Sequence, residues 1–308
     1  MKPDDSRLDP HDLIAIERRA AHLLDRADAW DRYPVPIDDL LAAADVTVAK
    51  YGAFNPASIL AYINGKAGDA ATNIKSAVSK IFGIYDADDN LIHIDETVVE
   101  SKQTFLKLHE TGHHDIPTHK KVFRLFQDCE KTLAPDIADQ FEREANNFAR
   151  FALFKGDAFM ECAADHPFEI KTPIKLAKKF GASIYASARE FVRTNSRACV
   201  VFVLEPIEYV EGAGAQARVR RIEVSKSYVS QFGQPHATAI TLDHPLGPML
   251  PIGRKMTRPT TLSITDKNGV SHECVAEAFD TTHNILILLY PVKALAKSPF
   301  FLPTGSSS

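Results

Sequence analysis

The stretch "FLKLHETGHHDIPTH", residues 105–119, decides how the first half of the chain is read. The preceding "TFLKL" supplies an apolar lead-in of helical character. His109 and His113 are four residues apart, about 400° on a helix, so both imidazoles leave one face one turn apart. Two neutral imidazoles at that spacing can hold one divalent ion such as Zn²⁺. Glu110 stands beside the pair without being needed as a ligand. Zinc lowers the pKa of a water toward 7, and Glu110 can take that water's proton and pass it to a leaving amine. Gly112 leaves room for close packing. His114 is turned about 100° from His113 and is expected to face solvent or the outer shell of the site. His119, past Pro117, is expected in a loop. The competing reading is a solvated helix with surface histidines. With 12 histidines in the chain, a chance match to three fixed positions occurs in roughly a few per cent of such compositions.

A third ligand is expected in "FEREANNFARFALF", residues 141–154, on a helix predicted to start near Pro135 and run to Phe154. Phe141, Ala145, Phe148, Ala149, Ala152 and Leu153 form one apolar stripe. On a helical wheel Glu142 lies about 60° from the stripe's centre and Glu144 about 100° away. Glu142 therefore leans toward the buried face, where a carboxylate is costly unless it pairs or binds a metal. Glu144 is better placed for solvent or for supporting hydrogen bonds, and Asn146 is a second candidate for such support. Two histidines and a glutamate leave a fourth position open, as hydrolytic zinc needs. The same donors also admit manganese or iron.

Around these helices the pattern is mixed. Leu13, Ile16, Ala20, Leu23 and Leu24 predict a helix over 12–27. A proline-bearing loop, a short helix near Ile37 and a strand over 46–50 follow. Residues 70–83, "AATNIKSAVSKIFG", read as helical. Two apolar runs, 81–85 and 91–94, flank the turn "DADDN" and predict a hairpin. Its strand near Leu91–Ile94 is expected to hold a peptide by strand addition. "KTPIKLAKKFGASIYASAREFVRTN" predicts two helices broken at Gly181. Arg189, Arg193 and Arg197 line the second, which admits a DNA-reading face; a structural helix pair is the favoured reading. Beyond residue 197 the texture becomes β-rich, and a domain boundary is expected near 195–198.

The residues carry a resemblance. "FLKLHETGHHDIP" followed by "FEREANNFARFALF" resembles the signature of the ImmA/IrrE metallopeptidases, which pair a His-Glu-x-x-His helix with a later Glu-x-Glu-Ala-Asn-x-Phe-Ala helix. The hairpin "IYDADDNLIHIDE" and the start "IERRAAHLLDRADAWDRYPVPIDDLL" are also similar, so the resemblance spans roughly residues 12–195. It implies His109 and His113 as zinc ligands, Glu110 as general base and Glu142 as third ligand. Members cut a helix-turn-helix repressor, releasing genes for phage induction, DNA-damage response or antiphage defence. The β-rich end resembles the GAF-like sensory domain of longer members. The expected fold class is α+β. The expected domains are a zincin-like metallopeptidase at 1–160, a helix-turn-helix-like segment at 161–196, a GAF-like domain at 197–303 and a disordered tail at 304–308. The expected switch is a signal, single-stranded DNA or a small molecule, sensed by the C-terminal domain. The alternative is a non-catalytic DNA-binding regulator whose metal is structural.

Two further features attract attention. Cys129, in "FQDCEKTLAP" between the two ligand helices, could place a thiolate on the metal and lock the site, though a free loop thiol is the plainer reading. Arg218, Arg220 and Arg221 in "ARVRRIEVS" could form a ligand or single-stranded nucleic-acid surface; a charged edge strand is the plainer reading.

Bulk properties fit this frame. The chain has 308 residues, 45% hydrophobic and 25% charged, enough to bury a sizeable core. A formal net charge of −4 argues against coating nucleic acid through bulk charge. No apolar run approaches the roughly 18 residues of a membrane span. The polar start and four scattered cysteines predict no export signal and a cytoplasmic protein.

Overall fold

The structure is a computed structural model and describes residues 7–49, 83–86, 90–94, 99–119, 135–212 and 214–293. It is an α+β chain that divides into two compact units. One holds residues 1–162 and 175–183; the other holds 163–174 and 184–308. The helix over 184–193 belongs with the strands that follow it, because it packs on the first and third of them.

The first unit starts with α1 (Pro10–Arg26), which buries Ile16, Ala20, Leu23 and Leu24. Pro10 sits in its first turn, where a missing N–H costs nothing. α2 (Ile37–Ala43) buries Leu40 and Leu41. The strands β1 (Thr47–Val48), β2 (Gly83–Asp86) and β3 (Leu91–Ile94) make a small sheet in the order β1-β3-β2. β2 and β3 form the expected antiparallel hairpin, and β1 lies parallel to β3. The helix expected around residues 70–83 and the loop carrying Cys129 lie outside the described residues.

The sheet order overturns the assignment of the peptide-holding strand. β3 is central, and along Leu91–Ile92 its backbone is paired on both sides, by β1 and by β2. Among the described residues the outer edges belong to β1 and β2. Sequence alternation identifies strands but not their lateral order, which is fixed by pairing at a distance.

α3 (Glu100–Asp115) and α4 (Pro135–Phe154) carry the two motif segments and pack against each other. α4 also packs on α1, and α3 is flanked by α2, β2 and β3. Being enclosed on several sides, α3 buries six consecutive residues, Leu108 to His113. Arg19 of α1 donates to the Asp115 carbonyl oxygen at 3.1 Å, and Arg19 and Arg26 each stand 3.9 Å from the Asp115 carboxylate. These contacts tie α1 to the end of the motif helix. Lys155, just after α4, is fully buried and donates to the carbonyl oxygens of Ala29, Trp30 and Arg32. Its aliphatic stem and its three acceptors make it the stitch between α4 and the loop after α1.

In the second unit, α7 (Ile184–Arg193) precedes a curled seven-stranded antiparallel sheet. In chain order the strands are β4 (Val200–Leu204), β5 (Glu208–Val210), β6 (Gly214–Val224), β7 (Ala239–Thr241), β8 (Thr260–Thr265), β9 (Ser271–Asp280) and β10 (Ile285–Pro291). Laterally they run β5-β6-β4-β10-β9-β8, with β7 also on β6. The central strands β4 and β10 read "VVFVL" and "ILILLYP" and are buried along nearly their whole length. An unbroken apolar run is what a strand covered on both faces requires. Val200, Phe202, Leu204, Ile285, Ile287 and Leu289 share one core with Met249 and Tyr228. α8 (Lys226–Phe232) is capped by Ser225, whose hydroxyl accepts from the N–H of Tyr228 at 3.1 Å. Among the described residues, α5 (Ala158–Ala164) and α6 (Lys171–Phe180) lie between α4 and α7 in the chain. No helix among the described residues is long and apolar enough to cross a membrane.

Candidate metal centre

α3 and α4 bring His109, His113 and Glu142 together. Nε2 of His109 and Nε2 of His113 are 3.2 Å apart. The Glu142 carboxylate straddles them, with one oxygen 3.4 Å from His109 and the other 3.5 Å from His113. Donors about 2.0–2.1 Å from a tetrahedral ion are separated by roughly 3.3–3.4 Å from one another. The separation of the two imidazole nitrogens matches that edge, and each Glu142 oxygen lies at about the same distance from one of the rings, so the three side chains can present donors to one ion and the donor set fits zinc.

The electrostatics follow from sharing one carboxylate between two buried rings. Burial alone would lower the His109 pKa, but its hydrogen bond and charge interaction with Glu142 push it up to about 9. Burial pulls His113 down to about 4, because the positive His109 beside it opposes what Glu142 offers. Glu142 is held far below the usual carboxylate range: desolvation would raise it, and the hydrogen bonds from both imidazoles overcome that. A cation is thus already favoured at this point. A divalent ion would displace the proton on His109, so metal uptake should strengthen as pH rises toward 9. Isothermal titration in buffers of different ionisation heat should show proton release on binding at neutral pH; uptake without release would count against this charge state.

Glu110 is buried and close enough to His109 to raise its pKa through charge. Asn146, one turn beyond Glu142 on α4, acts on His109 through a side-chain hydrogen bond. His114 is half-buried and stands outside the donor cluster. Cys129 lies outside the described residues.

The wheel reading of the two glutamates is reversed in exposure. The side chain of Glu144 is the more buried, at 10% exposed, while that of Glu142 is 40% exposed. The helical wheel knew only α4's own apolar stripe. It could not know that residues 117–119 fold back as a helical segment and cover the Glu144 side. His119, expected in a loop, is fully buried in that segment and stacks on Phe141 with ring centroids 4.0 Å apart. Pro117 begins a new helical turn instead of ending order, as proline readily does at a first helical position.

Gly112 faces Phe148 of α4. A Cβ built there would meet the Phe148 Cβ and Cδ1 at 3.1 Å. This close approach sets the distance between the two ligand-bearing helices. Gly112→Val should cost about 1–3 kcal/mol by overpacking and spread His109 from Glu142. Thermal unfolding together with zinc affinity checks this; an unchanged affinity would show that the helices adjust without moving the donors.

Arg189, Arg193, Arg218 and Arg220 of the second unit are engaged. On α7, Arg189 and Arg193 donate to the Glu223 carboxylate of β6 at 3.0 and 2.8 Å. Residues 187–192 of α7 are all buried. The helix therefore turns inward the face that a DNA-reading helix would present, and α7 serves as a packing helix. On β6, a register shift opposite Val203/Leu204 inserts an extra residue. Val219 and Ile222 both pack on the core despite their odd spacing, so the bulge puts Arg218, Arg220 and Arg221 on the other face. Arg218 is paired with Glu205 at 2.9 Å and Glu208 at 3.5 Å, and Arg220 lies over the Tyr185 ring. Cys199 and Cys274 are buried, which pushes their thiols up to about 12 and about 11 and leaves them unreactive.

No protein-family model matches the chain. No curated protein matches it in sequence. Among solved structures it is similar to a Mycobacterium tuberculosis transcriptional regulator, with 12% sequence identity and a TM-score of 0.51, over 90% of this chain and 76% of that one. At that identity the likeness is one of fold.

Proposed function

We propose that this protein is a zinc-dependent endopeptidase that cleaves a helix-turn-helix transcriptional repressor and so relieves repression of a stress, DNA-damage or antiphage-defence operon. The observation that carries the reading is the convergence of His109, His113 and Glu142 on one point, with the buried carboxylate of Glu110 beside it. His109, His113 and Glu142 would hold a zinc ion, which would supply Lewis-acid polarisation of a water and of the scissile carbonyl at neutral pH. Glu110 takes the proton from the attacking water and returns it to the leaving amine. The motif match to ImmA/IrrE peptidases supports the same roles. β2 is the hairpin strand with an unpaired edge among the described residues, and it packs beside α3. Its edge is the place for an extended substrate to add as a strand. The regulatory setting draws support from the transcriptional regulator that shares the fold. The β-rich unit is the proposed sensor of single-stranded DNA or a small molecule.

The test is incubation of the full chain with the repressor encoded beside it, with and without chelator and single-stranded DNA, reading fragments by mass spectrometry. Cleavage lost on chelation and restored by zinc is expected. An intact repressor under every condition would sink the proposal. Metal analysis gives an independent check: Glu142→Ala should fall from about one bound ion per chain to near none, since two imidazoles alone hold zinc poorly.

The second reading, a non-catalytic regulator, shares the support of the structural neighbour. Its DNA-reading helix would have to be other than α7, whose arginines are held by Glu223. An operator shift without cleavage would favour it.

A further inference from the structure

Behind His113 runs a chain of side chains that the motif spacing does not foretell. Nδ1 of His113 is 3.1 Å from Nδ1 of His119. Nε2 of His119 is 2.8 Å from a Glu144 carboxylate oxygen. The other Glu144 oxygen accepts from the Gln140 side-chain amide at 2.9 Å. His113, His119 and Glu144 are all buried.

The order of donors in this chain is fixed from its far end. A carboxylate can only accept, so the His119 nitrogen facing it, Nε2, carries the hydrogen. A neutral imidazole that donates through Nε2 keeps its acceptor lone pair at Nδ1. Two lone pairs do not face each other at 3.1 Å, so His113 donates through its own Nδ1. The lone pair of His113 is then left at Nε2, the atom that faces His109 and Glu142. Phe141 stacks on the His119 ring and holds its plane. One helix, α4, thus supplies Glu142 on the donor side and Phe141, Glu144 and Gln140 behind His113.

We propose that His119 and Glu144 are positioning residues: a Gln140–Glu144–His119 relay, buried at Glu144 and His119, that sets the tautomer and the angle of His113 for metal binding. The proposal rests on the metal-centre reading and adds to it two residues that touch neither ion nor substrate. Histidine ligands are commonly oriented by a carboxylate or carbonyl at their second nitrogen. Here an additional imidazole is interposed, which extends the relay to a glutamate two residues from the ligand Glu142.

The experiment uses the full chain, stripped of metal and titrated with Co²⁺ and Zn²⁺. Zinc affinity is read by competition with a chromophoric chelator, and the ligand field by the visible Co²⁺ absorption. His119→Phe keeps an aromatic ring against Phe141 and removes both hydrogen bonds. It should weaken zinc binding about 10–100-fold and shift the cobalt bands while far-ultraviolet circular dichroism stays as in the wild type. Glu144→Gln is nearly isosteric and can still accept from His119 through its amide oxygen, so it should lie between wild type and His119→Phe. Glu144→Ala should match His119→Phe. Combining Glu144→Ala with His119→Phe should add little, because both cut the same chain. If Glu144→Ala, correctly folded, binds zinc within about twofold of wild type with an unchanged cobalt spectrum, the relay is wrong and the metal centre stands. If the wild-type chain takes up no cobalt, or if Glu142→Ala takes it up as well as wild type does, the metal-centre reading fails and the relay falls with it.

Discussion

Glu110→Gln is expected to keep the metal and lose the cleavage. Glutamine has the same shape but cannot accept the proton that the attacking water must give up. A positioned general base contributes about 10²–10⁴ to rate, so the loss should fall in that range with zinc stoichiometry unchanged. Glu110 is buried beside His109, and its carboxylate bears on the charge of that ring. Removing that charge leaves His109 slightly easier to deprotonate but also weakens the local attraction for a divalent cation, so the two effects oppose and metal binding should change little. The pairing of the two readouts is what gives the test its force. A variant that loses metal and activity together would place Glu110 among the groups that build the site. A variant that cleaves like the wild type would falsify the general-base role outright.

The second large effect is expected in the other unit, at Glu223. Its carboxylate accepts from Arg189 and Arg193, and Arg193 also lies 3.6 Å from Glu190. Removing one partner from such a set leaves buried positive charge uncompensated, which costs about 3–5 kcal/mol. Glu223→Ala should therefore lower the stability of the β-rich unit by that amount, read from its urea unfolding curve. The double variant Glu223→Ala with Arg193→Met should recover part of it, since the penalty lies in the unpaired charge rather than in the missing pair. A loss below about 1 kcal/mol would mean the guanidinium groups stay solvated when Glu223 is gone.

The same group sets an acid limit. Burial would raise the Glu223 pKa, but Arg193 and Arg189 overcome this and lower it to about 2 from its ordinary 4.5. A carboxyl depressed in the folded state contributes fully above its unfolded value and loses that contribution as pH falls through its folded value. The β-rich unit should keep this stabilisation above about pH 4.5 and shed it between there and about pH 2. In Glu223→Gln the stability of that unit should change less over the same window, which acid titration followed by circular dichroism can read.

Local pattern alone makes most of the elements legible. The stripe Phe141, Ala145, Phe148, Ala149, Ala152 and Leu153 marks α4, and those residues are its buried face. The unbroken runs "VVFVL" and "ILILLYP" mark strands covered on both faces, as β4 and β10 are. The pairing of β2 with β3 and the helix over 10–26 are likewise written in short-range spacing. The His-Glu-x-x-His spacing places two imidazoles on one helical face by geometry that needs no partner.

What the sequence could not decide were the choices that depend on a second element. β3 is central because β1 and β2 pair on either side of it, and alternation carries no record of lateral order. Glu144 is buried and Glu142 half-exposed because a segment after Pro117 folds over one flank of α4, adding a surface that no wheel of α4 contains. Arg189 and Arg193 look like a cationic helix face in one dimension, and a glutamate 30 residues or more downstream turns them inward. His119 shows the contrast most clearly. By itself the sequence determined which residue types are close along a helix. Only the tertiary fold decided that this histidine stands behind His113, because burying its ring requires Phe141 and satisfying its nitrogen requires Glu144, and both come from another helix.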